Sequence, residues 1–162
     1  MDREYPKAIT QDPRAALEEW LEFQRRGVVE KVSGLADAAA AAAPVASGTT
    51  VSGVVRHLAN VETWWFQGAM GGSTEVPAKI FEDAWSVTAT TSLDEAIAAY
   101  LSACDKSRDV QRGVSSLDQQ AAHAAVMDLD YCWVLAHMVE ETARHLGHLD
   151  VLRELQDGAV GL

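Results

Sequence analysis

Four long stretches of the chain place apolar residues at the three-to-four-residue spacing of an α-helix, and none shows the alternation of a half-buried strand. That pattern restricts the fold to helices packed on helices. The first stretch opens at "QDPRAALEEWLEFQRR", where Asp12 suits the N-cap and Pro13 the first helical position. Its apolar face collects Leu17, Trp20, Leu21, Gln24 and Val28, and Gly34 is a natural stop. The second begins after Thr49 or Thr50 and runs towards Gly71 and Gly72. The third opens with "SLDE", where Ser92 and Glu95 have capping-box spacing. The fourth runs from Tyr131 to Gln156, with Asp128 or Asp130 as its cap and Gly158 just past its end. A short helical turn is expected in the alanine run before Pro44, and a short helix around "KIFEDAW" at 79–85. The chain reads as all-α, a four-helix bundle in one domain over 1–162, with long loops after the second and third helices.

The fourth stretch carries an anomaly. In "HMVEETARHLGHLDVLREL", residues 137–155, a step of 100° per residue puts Glu141 and His145 within about 20° of the line through Val134 and Leu152. A carboxylate and an imidazole therefore interrupt an apolar stripe, one turn apart, where side chains at i and i+4 converge. The second stretch does the same: His57 shares a face with Val54, Val61 and Trp64, and Gly68 continues that line. A buried carboxylate is costly unless it is paired or binds a metal. Three arrangements fit: a hydrogen-bonded Glu–His pair, an acid–base pair without metal, and a metal site of His57, Glu141 and His145. Two imidazoles and one carboxylate suit a borderline divalent ion and leave a coordination position open, as in catalytic sites. His148 and His137 lie at the edge of the same face, as candidate proton-transfer and supporting residues, or as plain boundary residues. Trp64 is core or pocket lining. Glu-x-x-His, H-E-x-x-H, G-x-S-x-G and the P-loop are absent, which excludes the di-iron bundle, zincin, α/β-hydrolase and nucleotide-binding patterns.

The formal net charge of −11 argues against nucleic acid or an anionic membrane surface as partner, since both need clustered Lys and Arg. Cys104 and Cys132 form no CxxC motif, so each is expected to pack as a small apolar residue on a helix. The polar start "MDREYPKAITQDP" lacks the apolar centre of a signal peptide, and no apolar run is long enough to span a bilayer. A cytoplasmic protein is expected.

The segments "VVRHLANVETWWF" at 54–66 and "WVLAHMVEETARHLGHLDVLREL" at 133–155 resemble the DinB/YfiT-like superfamily of four-helix-bundle metalloproteins. Within it the chain is most similar to the mycothiol-dependent S-transferases, which are related to the N-terminal domain of mycothiol-dependent maleylpyruvate isomerase. The likeness extends from "EWLEFQRRGVVEKVSGL" to "LRELQDGAVG". It implies an up-down-down-up bundle and one divalent metal ion on His57, Glu141 and His145, zinc first, with nickel or iron as alternatives. It further implies a mycothiol-like thiol as cosubstrate and an electrophilic small molecule as acceptor. His148 is then a candidate for proton transfer, with His137 and Trp64 near the site, and an exposed bundle face would allow a homodimer. The competing functions are a metal-dependent hydrolase using metal-bound hydroxide and a non-catalytic metal-binding stress-response bundle.

Overall fold

The computed structural model describes residues 5–6, 12–76 and 92–160. Its helices start where the cap chemistry is local. Helix α1, Pro13–Val32, begins with the Asp12 carboxylate accepting from the Arg14 N–H, and Pro13 fills the first turn. A short α2, Asp37–Ala41, follows. Helix α3, Val51–Glu62, is capped by the Thr50 hydroxyl accepting from the Gly53 N–H. Helix α4, Leu93–Gly113, carries the reciprocal Ser92–Glu95 capping box. Helix α5, Tyr131–Asp157, opens with Asp130 accepting from the Trp133 N–H and closes at Gly158, whose φ of 78° is the left-handed C-cap. Among the described residues there is no β-strand, only an isolated bridge between Gln120 and Asp130. The helix expected around residues 79–85 lies outside the described residues.

One element departs from the regular pattern. Past Glu62, α3 continues without a break but winds as a π-helix over Thr63–Met70. The turn ends with the Gly71 N–H donating to the Phe66 carbonyl at 2.7 Å. A Cβ at Gly71 would stand 2.8 Å from the Gln67 carbonyl oxygen, so the exit accepts only glycine. The 100° step that aligns Trp64 and Gly68 with His57 holds for α winding alone and does not apply beyond Thr63.

Contacts fix the directions of the four long helices. Arg14 reaches the Tyr131 ring and Lys31 pairs with Asp150, so α1 and α5 run the same way. Ser107 donates to the Glu62 carbonyl, while Val51 and Leu93 share a cluster at the other end, so α3 and α4 also run together. The Arg25–Glu62 pair, with Val32 near Val51, sets α1 against α3.

The core is divided along its length. One apolar cluster holds Val28, Val32, Leu58, Tyr100, Leu146 and Leu149; the other holds Leu21, Val61, Phe66, Tyr131, Leu135 and Met138. Buried polar residues fall between the two in three of the long helices, Arg25 in α1, Ser107 in α4, and Glu141 and His145 in α5, while on α3 buried Glu62 follows Val61 at the edge of the second cluster. Arg25 donates to both Glu62 oxygens, at 2.8 and 2.6 Å, with each side chain at most 2 % exposed. A planar guanidinium matched to a carboxylate satisfies the charges that burial would otherwise strand.

Two sequence expectations need correction. Trp20 is 38 % exposed and lies edge-on to Phe23 at 5.5 Å, whereas Phe23, Arg25 and Gly27 take buried positions on α1. The buried face of α1 therefore includes a charge that an apolar-period reading assigns to water. Cys132 is exposed, in contrast to buried Cys104, because it sits in the first turn of α5 and faces outwards. Among the described residues no helix is long and apolar enough to cross a membrane.

Candidate metal centre

The three anomalous residues come together. His57, from the middle of α3, places Nε2 at 3.0 Å from Glu141 Oε1, and His145, one turn after Glu141 on α5, places its own Nε2 at 3.0 Å from the same oxygen. The two imidazole centroids stand 4.6 Å apart with planes tilted by 59°. Glu141 and His145 side chains are each 7 % exposed and His57 is 12 % exposed. Helix spacing explains the α5 pair, because residues at i and i+4 share a face. His57 meets them because α3 lies against α5 with its apolar face inwards.

Burial and charge act in opposite directions here. Burial alone would raise the Glu141 carboxyl, but the hydrogen bond from His57 and the nearby Arg144 and His145 outweigh it and bring it down to about 2. Burial lowers His145 to about 4, against the pull of the Glu141 charge. At neutral pH the pair is thus a carboxylate and a neutral imidazole, the forms in which both groups donate lone pairs.

The donor set fits a divalent ion. All three ligand atoms lie within 4.8 Å of one another. Around an ion with bonds of about 2.0–2.2 Å and tetrahedral angles, neighbouring donors stand roughly 3.4 Å apart, close to the 3.0 Å separations seen here. Two Nε2–H groups aimed at one oxygen form a hydrogen-bonded triad. With the protons moved to Nδ1, the same three atoms aim lone pairs at a common point.

Other candidates occupy distinct places. His148 is exposed and sets Nδ1 at 3.3 Å from His145 Nδ1, the ring edge facing away from Glu141. His137 lies one turn before Glu141, stacked on Trp133 at 5.1 Å and edge-on to Trp65 at 4.8 Å, and burial lowers its pKa. Trp64 meets His123 edge-to-face at 5.1 Å.

Arg144 escaped the sequence reading. It donates to Glu141 Oε2, the oxygen that the histidines do not use. Its signal was the three-residue spacing from Glu141 in "EETARH". With Oε2 engaged by Arg144, Glu141 presents Oε1 alone to the histidines.

A comparison with curated proteins gives no match. The profile of one protein family, described as Mycothiol-S-transferase, matches residues 16–158, a span that takes in nearly all of the four long helices with His57, Glu141 and His145 inside it. The chain therefore belongs to the mycothiol-S-transferase family.

Proposed function

We propose that the protein is a divalent-metal-dependent transferase that joins a low-molecular-weight thiol of the mycothiol type to an electrophilic small molecule. One observation carries this reading: two imidazole nitrogens from different helices meet one carboxylate oxygen at 3.0 Å, in a member of this family. His57, Glu141 and His145 would hold the ion, and zinc suits two nitrogens and one carboxylate oxygen. Bound there, the ion supplies positive charge that lowers a thiol's pKa and makes a nucleophile available at neutral pH.

The remaining roles belong to the chain. Arg144 keeps one Glu141 oxygen occupied and so turns the other inwards. His148, by accepting at Nδ1 a proton carried on His145 Nδ1, would hold the tautomer whose Nε2 lone pair is free. That contact lies away from Glu141, which supports an orienting role for His148 ahead of direct proton transfer. In the reaction the thiol loses its proton to water and its sulfur forms a bond to the electrophilic carbon. The leaving group departs with its bonding pair.

We read residues 1–162 as one domain and the helix directions as an up-down-down-up four-helix bundle, working in the cytoplasm. The charge of −11 speaks against a nucleic-acid partner.

Elemental analysis and product analysis test the proposal together. Purified wild-type protein is expected to hold one divalent ion per chain, and H57A to lose it. Mycothiol and an alkylating electrophile are expected to give a thioether. Incorporation of water oxygen into the product instead would establish hydrolysis, and equal lack of metal in both proteins would return the site to a buried hydrogen-bonded triad.

A further inference from the structure

We infer that an exposed stripe of α5, made of Trp133, His137, Glu140 and Arg144 and faced by Trp65, holds the hydroxylated rings of the thiol. This assignment rests on the transferase reading above and names the part of that substrate recognised beside the candidate centre. The four residues stand at i, i+4, i+7 and i+11, so a step of 100° gathers them within about 60° of arc on one side of the helix. Trp133 is 44 % exposed, and the side chains of Glu140 and Arg144 are 57 % and 53 % exposed.

The stripe has an aromatic half and a charged half. Trp133 and His137 lie nearly parallel, with ring centroids 5.1 Å apart and planes inclined by 21°. Trp65 comes from the π-wound continuation of α3 and closes the group, at 4.8 Å from His137 and 5.2 Å from Trp133. A π turn has poorer hydrogen bonding than an α turn and survives mostly where it serves a site. Beyond the rings, Glu140 supplies acceptors and Arg144 supplies donors, 3.5 Å apart. Aromatic faces are electron-rich and attract polarised C–H groups. A sugar-like ring carries such C–H groups on its faces and hydroxyls around its edge, so it satisfies both halves. A plain alkyl or aryl electrophile would cover the rings but strip water from Glu140 and Arg144 without replacing its hydrogen bonds.

The stripe borders one of the three converging donors directly. His137 stands four residues before Glu141, so the two are neighbours on the helix surface. At the other end Arg144 donates to Glu141 Oε2. The same two helices that bring His57 and Glu141 together therefore carry the rings alongside them. A ring seated over His137 is about 6 Å from Glu141 along the axis, one turn of helix. In a thiol of the mycothiol type, with cysteine joined to its rings through an amide, the sulfur lies five bonds from the nearest ring, a reach of roughly 6 Å. Rings on the stripe and sulfur at the centre are thus compatible in one bound molecule.

The test titrates mycothiol, and N-acetylcysteine as a thiol without the rings, into the zinc-loaded full chain with no electrophile present. Mycothiol is expected to move the indole N–H NMR signals of Trp65 and Trp133 and to bind at least tenfold tighter than N-acetylcysteine, which should leave both signals in place. W133A should raise KM for mycothiol about fivefold or more, the loss falling on KM ahead of kcat, with zinc content as in wild type. W133F keeps a ring at that position and should recover most of the loss. Equal affinity for the two thiols, an unchanged mycothiol KM in W133A, or indole signals that respond only to the electrophile would overturn the subsite and leave the transferase reading standing. No detectable binding of mycothiol to the zinc-loaded protein would overturn the transferase reading, and the subsite with it.

Discussion

Cys104 on α4 and Cys132 on α5 have opposite surroundings. Burial, with Glu62 nearby, pushes the Cys104 thiol up to about 12, so it stays protonated and shielded. Cys132 faces solvent. Native protein at pH 8 is therefore expected to consume one equivalent of a disulfide-exchange reagent quickly, and the second only after denaturation. C132S should abolish the fast phase, and a fast phase that survives in C132S would refute the burial argument. At the same scale, His57, Glu141 and His145 were legible in the sequence because each interrupts an apolar stripe, and an interruption of that kind needs a partner. Arg144 was not legible, since an arginine beside glutamates on a helix reads as an ordinary surface pair.

At the scale of elements, the polar layer makes its own demand. Arg25 and Glu62 join α1 to α3 while almost fully buried. Removing one partner strands the other charge, so E62A is expected to cost about 3–5 kcal/mol in urea unfolding. The double change R25M/E62L should recover much of that loss, because it removes both charges and keeps the volume. An E62A variant as stable as wild type would show that water reaches the pair. Helix boundaries at Asp12, Ser92 and Gly158 were readable, and those at Thr50 and Asp130 were readable to within two residues, because capping is settled locally. The π winding of Thr63–Met70 and the burial of Arg25 were not, because both depend on distant partners: Ala69 accepts from the backbone of Ala122 and His123, and Arg25 needs Glu62. The exposure of Trp20 fails for the same reason, since periodicity identifies a face without saying what covers it.

For the whole molecule, the two shifted groups at the candidate centre act in one direction. His145 titrates near 4 instead of its ordinary 6.5, so the unfolded chain binds its proton first and stability falls as pH drops from 6.5 towards 4. Glu141 titrates near 2 instead of 4.5, and its contribution, full above 4.5, is lost as pH drops from there towards 2. Chelator-treated protein should therefore lose stability steadily between pH 6.5 and 2, and E141Q should flatten the lower part of that curve. An ion bound only by the folded chain adds stability that grows with its free concentration, so zinc should raise the thermal midpoint at pH 7 and lose that effect by pH 4. A midpoint indifferent to both pH and zinc would contradict both assignments. The division of the core into two apolar ends has a further consequence, for how substitutions combine. A change near Leu21, Phe66 and Met138 shares few neighbours with one near Val32, Leu58 and Leu149, so their effects should add. Changes within the Arg25–Glu62 pair, or within the His57–Glu141–His145 group, meet through direct contacts and should not add. Sequence drift can then remodel either end independently, whereas the partners within each buried polar group are constrained to change together.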